Sequence, residues 1–94
     1  MIESSIVADD LKADAKGQAA EILAKIDGIL GHFGSSKSKL ISAYIWVSDI
    51  RHRAGVNEAW TAWVDPNALP VRATVEAKLA DPAMLVEIQV TAAR

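Results

Sequence analysis

The first strong periodicity in the chain is helical. Ala15, Ala19, Ile22, Leu23, Ile26, Leu30 and Phe33 recur at three- and four-residue steps and draw one apolar stripe. Lys16, Glu21 and Lys25 fall on the other side, the last two spaced as an i,i+4 ion pair. With Asp14 as N-cap and Gly34 as a left-handed closing residue, the spacing predicts a helix over about 14–33. After the polar turn Gly34-Ser35-Ser36-Lys37-Ser38 the period falls to two, and Leu40 to Val47 reads as a strand rich in β-branched and aromatic residues. Ile41, Ala43, Ile45 and Val47 make one face of it, and Ser42, Tyr44 and Trp46 the other. That second face is too aromatic for a strand that looks at water, so a second packing surface is expected.

Ser48-Asp49 supplies a turn or cap, and Val56, Ala59, Trp60 and Trp63 mark a shorter amphipathic helix that Asp65-Pro66-Asn67 ends. Two further strands follow. In the first, Val71, Ala73, Val75, Ala77 and Leu79 alternate with Arg72, Thr74, Glu76 and Lys78. Beyond the Ala80-Asp81-Pro82 turn, Met84, Val86, Ile88, Val90 and Ala92 alternate with Leu85, Glu87, Gln89 and Thr91. The order is a short extended piece, helix, strand, helix, strand, strand, which predicts one α+β domain over 1–94. Its strand–helix–strand unit pairs in parallel, and the final two strands form a hairpin or lie side by side. Two helices cover only one face of the sheet. The alternation assigns Tyr44, Trp46, Arg72, Thr74 and Glu87 to the uncovered face, and the aromatic content there points to another subunit.

Composition sharpens this picture. A chain of 94 residues buries only about 60–65% of the surface its unfolded form exposes, yet 51% of these residues are hydrophobic and the mean hydropathy is +0.17. Part of that apolar surface is expected between subunits. With no cysteine there are no disulfides or thiolate sites, and His32 and His52 have no acidic partner at ligand spacing, so no metal site is expected. The net charge of −2 and the scattered basic residues, Arg51-His52-Arg53 apart, do not provide the basic stripe that nucleic acid requires. No apolar run approaches the roughly 20 residues of a membrane span, and the N-terminus lacks the pattern of a signal peptide, so no membrane partner and a cytoplasmic location are expected.

Arg72, just after Pro70-Val71, presents a planar fork suited to a carboxylate. Glu87, fifteen residues later, could accept a proton from a water or orient it. Spacing alone leaves the plainer alternative open, a cross-strand ion pair on a wet face. Trp60 and Trp63 read as core on their helix stripe rather than as a stacking platform, and Asn57 beside them as a residue that hydrogen-bonds a loop or meets a ligand.

The run Pro70-Val71-Arg72-Ala73-Thr74-Val75-Glu76-Ala77-Lys78-Leu79, followed by Val86-Glu87-Ile88, resembles the C-terminal signature of the YjgF/YER057c/UK114 (Rid) family. Gln18 to Leu30 is similar to that family's first helix, Ser42 to Asp49 to its following strand, and Val56-Asn57-Glu58-Ala59-Trp60 to its second helix. Leu11 to Asp14 and Ala62 to Pro66 look most like a short-chain branch. The resemblance implies a chorismate-mutase-like mixed sheet with two helices on one face, a homotrimer with clefts between subunits, and no cofactor. It implies hydrolysis of reactive enamine/imine intermediates to 2-keto acids and ammonia, with Arg72 holding the substrate carboxylate and Glu87 positioning the water. Thr74 stands where that branch often has a cysteine that contacts the ligand. Family chains begin with an extra strand or hairpin, and this sequence starts near its end, so an N-terminally shortened sheet with an exposed edge is expected. Ser5, in Ser4-Ser5-Ile6, stands at the substrate-binding turn where the family has a small-Gly-Gln sequence. A non-catalytic trimer that binds small carboxylates in the same cleft is the alternative.

Overall fold

The computed structural model describes all 94 residues, in the order β1 (Ile2–Val7), α1 (Ala15–His32), β2 (Leu40–Val47), α2 (Arg53–Trp63), β3 (Val71–Glu76) and β4 (Val86–Ala92). The helix α1 starts where its cap predicts: the Asp14 carboxylate accepts from the Gly17 N–H at 2.8 Å. It ends at Gly34, whose φ of +74° is the left-handed conformation that only glycine adopts without strain, while the Ser35 N–H reaches back to the Leu30 carbonyl at 2.8 Å. Its polar side carries the expected Glu21–Lys25 pair at 3.2 Å. The Glu21 carboxylate also accepts from the backbone N–H groups of Asp9 and Asp10, and these two bonds, with Lys25 adding to them, hold its pKa below the usual range. This clamp ties the β1–α1 connection to the helix.

At the other end of the sheet a 3₁₀ turn, Ile50–His52, leads into α2. The Asp49 carboxylate accepts from both the side chain and the backbone N–H of Arg51, which brings its pKa down to about 2. Lys37 closes α2 by donating to the Trp63 carbonyl at 2.6 Å, a cation placed where the helix dipole favours one.

The four strands form one mixed sheet in the order β1-β4-β2-β3. As expected for a strand–helix–strand unit, β2 and β3 run parallel. The last two strands are not neighbours. β4 inserts on the far side of β2, antiparallel to it and to β1, so β2 separates β3 from β4. Both helices lie on one face, over Ala43, Ile45, Val47, Val86, Ile88, Val90 and Ala92, all essentially inaccessible.

Two other expectations shift. A register irregularity between Leu40 and Ser42 rotates the strand, so that Leu40 is buried and Ile41, assigned inward by strict alternation, is 45% exposed. β3 stops at Glu76 rather than continuing to Leu79. The Ala77 N–H still donates to the Val47 carbonyl, but β2 ends there and Lys78 has no further ladder partner.

One polar residue is completely buried. Gln18 sits on the apolar stripe of α1, where its amide donates to the carbonyls of Ala13 (3.2 Å) and Ala83 (3.0 Å) and accepts from the Leu85 N–H (3.0 Å). It thereby fixes the loop that feeds β4. Gln18→Leu takes their partner from one N–H and two carbonyls and is expected to lower unfolding free energy by about 2–4 kcal/mol in urea titrations. A loss under about 0.5 kcal/mol would show that water or a loop shift satisfies those groups instead.

Candidate functional site

The register decides where the candidate residues point, because paired residues on adjacent strands share a face. Arg72 pairs with Ala43 and Thr74 with Ile45, which places both on the helix-covered side. Glu87 pairs with Trp46, on the open side. The expected juxtaposition of Arg72, Thr74 and Glu87 on one uncovered face is therefore not what this protomer has. Arg72 and Glu87 leave opposite faces of the sheet, two strands and three residues apart, about 14 Å between their Cα atoms from standard strand dimensions. No cross-strand Arg–Glu ion pair forms.

The reason lies in the phase of β3. β3 is an edge strand, and its apolar phase, Val71, Ala73 and Val75, faces outward with Ser42, Tyr44 and Trp46. Val71 is 72% exposed and Val75 41%. A strand that turns its valines to the outside and its arginine to the helix side reverses the ordinary pattern. The reversal makes physical sense if the outer face is covered by protein.

On the helix side, the Arg72 guanidinium lies over the Trp60 ring, 5.4 Å from its centroid, a cation–π contact that steadies the side chain without using its N–H donors. No carboxylate of the chain is within ion-pair distance of it. Trp60 itself is buried core, as its position on the helix stripe predicts. Two residues along β3, Thr74 Oγ1 is buried without a hydrogen-bond partner, and one turn before Trp60 on α2 the same is true of Asn57 Oδ1. Asn57 therefore does not use that oxygen to hold a loop. The free guanidinium and, on the same face of β3, a buried hydroxyl able to donate make an arrangement suited to a small polar anion, whereas the Asn57 oxygen can only accept.

On the open side, Glu87 stands in a row that crosses all four strands: Val7, Glu87, Trp46 and Val75. The Trp46 ring is stacked on Tyr44, 5.7 Å between centroids and 14° between planes. The single polar contact of Glu87 comes from β1, where the Ser5 hydroxyl donates to its Oε2 at 2.6 Å. Oε1 has no partner within the protein. Ser5 thus lies beside the carboxylate, with its hydroxyl already engaged. Sequence reasoning did not identify Trp46 and Val7 as the walls of Glu87, because only strand order and register reveal that row.

What each half can do follows from its groups. The Arg72 side can hold a carboxylate, and the Glu87 side can orient a water and take its proton. A small 2-imino acid carries its carboxylate on the carbon that water must attack, so both groups must reach adjacent atoms. One protomer cannot bring them together across its own sheet.

The chain matches the family model described as Endoribonuclease L-PSP over residues 5–94. It is 45% identical over 87 residues to the RutC family protein YoaB of Escherichia coli, covering 93% of this chain and 76% of that one. The fold is shared with a crystal structure from Salmonella typhimurium at a TM-score of 0.96 and 44% identity, covering 98% of this chain and 80% of that one. A YjgF-family protein from Neisseria meningitidis superposes with a TM-score of 0.93 at 40% identity, over 97% and 76% of the two chains.

Proposed function

The chain belongs to the YjgF/YER057c/UK114 family, the family of the Endoribonuclease L-PSP model, and from that premise we propose that it hydrolyses small 2-imino acids in clefts completed between copies of itself. The observation that carries this reading is the division of the candidate residues: a carboxylate-gripping half without a water-handling group, and a water-handling half without a cation. Setting the edge strand β3 of one subunit against the open face of the next brings Arg72 of the first to Glu87 of the second. The same contact covers Val71, Val75, Tyr44 and Trp46. Repeated head to tail, it closes as a ring, and the homotrimer is the ring we propose.

In this mechanism Arg72 grips the substrate carboxylate through two parallel N–H bonds, with the Thr74 hydroxyl available to donate a further one. The iminium carbon is already electrophilic, so the protein needs to supply position more than activation. A water held on Glu87 Oε1 forms a bond to that carbon and gives its proton to the carboxylate. Glu87 returns the proton to nitrogen, then takes the remaining hydroxyl proton as the C–N bond breaks and the C=O bond forms; ammonia and the 2-keto acid leave, and Glu87 passes the proton to the ammonia or to solvent. No helix is long and apolar enough to cross a membrane, and the reaction requires only a dissolved substrate.

The test is direct. Protein added to 2-iminobutanoate, generated in place by an amino-acid oxidase, should shorten the lifetime of the imine, and sedimentation should give three times the chain mass. Binding of 2-ketobutyrate by a trimer that does not shorten that lifetime would favour the carboxylate-binding alternative. A monomer at micromolar concentration would overturn both readings.

A further inference from the structure

We propose that Ser5 is a positioning residue for Glu87: its hydroxyl locks the carboxylate through Oε2 so that Oε1 alone is presented to the attacking water. This rests on the hydrolase reading above and adds to it a role for the N-terminal strand. The geometry is specific. Ser5 pairs with Gln89, and its side chain crosses diagonally to Glu87, two residues away on the same face, at 2.6 Å.

The surroundings leave Glu87 no other way to be held. Its partner on β1 is Val7 and its partner on β2 is Trp46, and neither makes a hydrogen bond to the carboxylate. The charged and titratable groups facing the open side are few: Glu3 on β1, two rows away and itself contacted by the Thr91 hydroxyl at 3.4 Å, and the Tyr44 phenol on β2. β3 contributes only Val71, Ala73 and Val75 there, and both helices lie behind the sheet. An ionised carboxylate with two free oxygens can rotate about its terminal torsion and offer either one. A single donor on one oxygen stops that rotation.

Positioning through Oε2 gives a signature different from substrate contact. A residue that touches the substrate changes KM, whereas one that orients the base changes kcat. Ser5→Ala is therefore expected to lower kcat for 2-iminobutanoate about 10-fold with KM nearly unchanged. Ser5→Thr keeps the hydroxyl and should recover most of the rate. Carbon-13 relaxation of the Glu87 carboxyl supplies a readout independent of turnover: the side chain should be ordered in the parent and in Ser5→Thr and mobile in Ser5→Ala. An equally ordered Glu87 in Ser5→Ala would overturn the positioning role whatever the activity. A Glu87 that becomes mobile in Ser5→Ala, when the parent shows no turnover, would leave the role standing and sink the hydrolase instead. A rise in KM alone would assign Ser5 to the substrate.

Discussion

Arg72→Ala should lower kcat/KM for 2-iminobutanoate by about 10²–10³-fold while leaving the fold and the assembly in place, because the lost group anchors the substrate and lies outside the core. Arg72 is exposed, forms no ion pair and is steadied only by the Trp60 ring, so its removal leaves no buried charge behind. Arg72→Lys separates charge from geometry. An ammonium keeps the attraction but cannot make two parallel bonds, so that variant should fall between the parent and the alanine variant. Glu87→Gln is expected to cost a comparable factor in kcat with substrate binding retained, since the amide still fills the space beside Val7 and Trp46 but accepts no proton. Thermal shift with 2-ketobutyrate reads the binding half alone. The shift should vanish in Arg72→Ala and persist in Glu87→Gln. Full activity in Arg72→Ala would remove the carboxylate grip from the mechanism.

The elements were legible in the sequence, and the way they assemble was legible only in part. Apolar spacing along one stripe gives α1 its length, and Asp14 and Gly34 give it its ends, because these signals depend on residues a few positions apart. The parallel pairing of β2 and β3 follows from the helix between them. Strand order is different in kind. Nothing in the alternation of Val86 to Ala92 tells β4 to pass β3 and pair with β2, since that choice is made by burial of its alternate residues under α1.

The phase of β3 shows the same limit at the site itself. Val71, Ala73 and Val75 alternate cleanly with Arg72 and Thr74, and a single-chain rule turns the apolar set inward. Here it turns outward, toward a surface that the chain does not cover by itself. Pattern reasoning put Arg72 and Thr74 on the wrong face. Gln18 could have been found: a glutamine on an apolar stripe, four residues before Ile22, signals a buried amide with backbone partners. The bond from Ser5 to Glu87 could not, because it joins residues 82 positions apart.

The divided site also makes the second large prediction. If each cleft takes Arg72 from one subunit and Glu87 from the next, two dead variants should repair each other. Arg72→Ala supplies intact Glu87 faces and Glu87→Gln supplies intact Arg72 edges. Unfolded together in equal amounts and refolded, they should assort at random, and one cleft in four would receive both intact residues, about a quarter of the parent's activity per cleft. Refolded separately and then combined without exchange, they should stay inactive. The mixing experiment is thus the most direct test of a site shared between subunits. Recovery near one quarter, with mixed assemblies verified by native mass spectrometry, is the result this account predicts. Mixed assemblies no more active than either variant alone would contradict it.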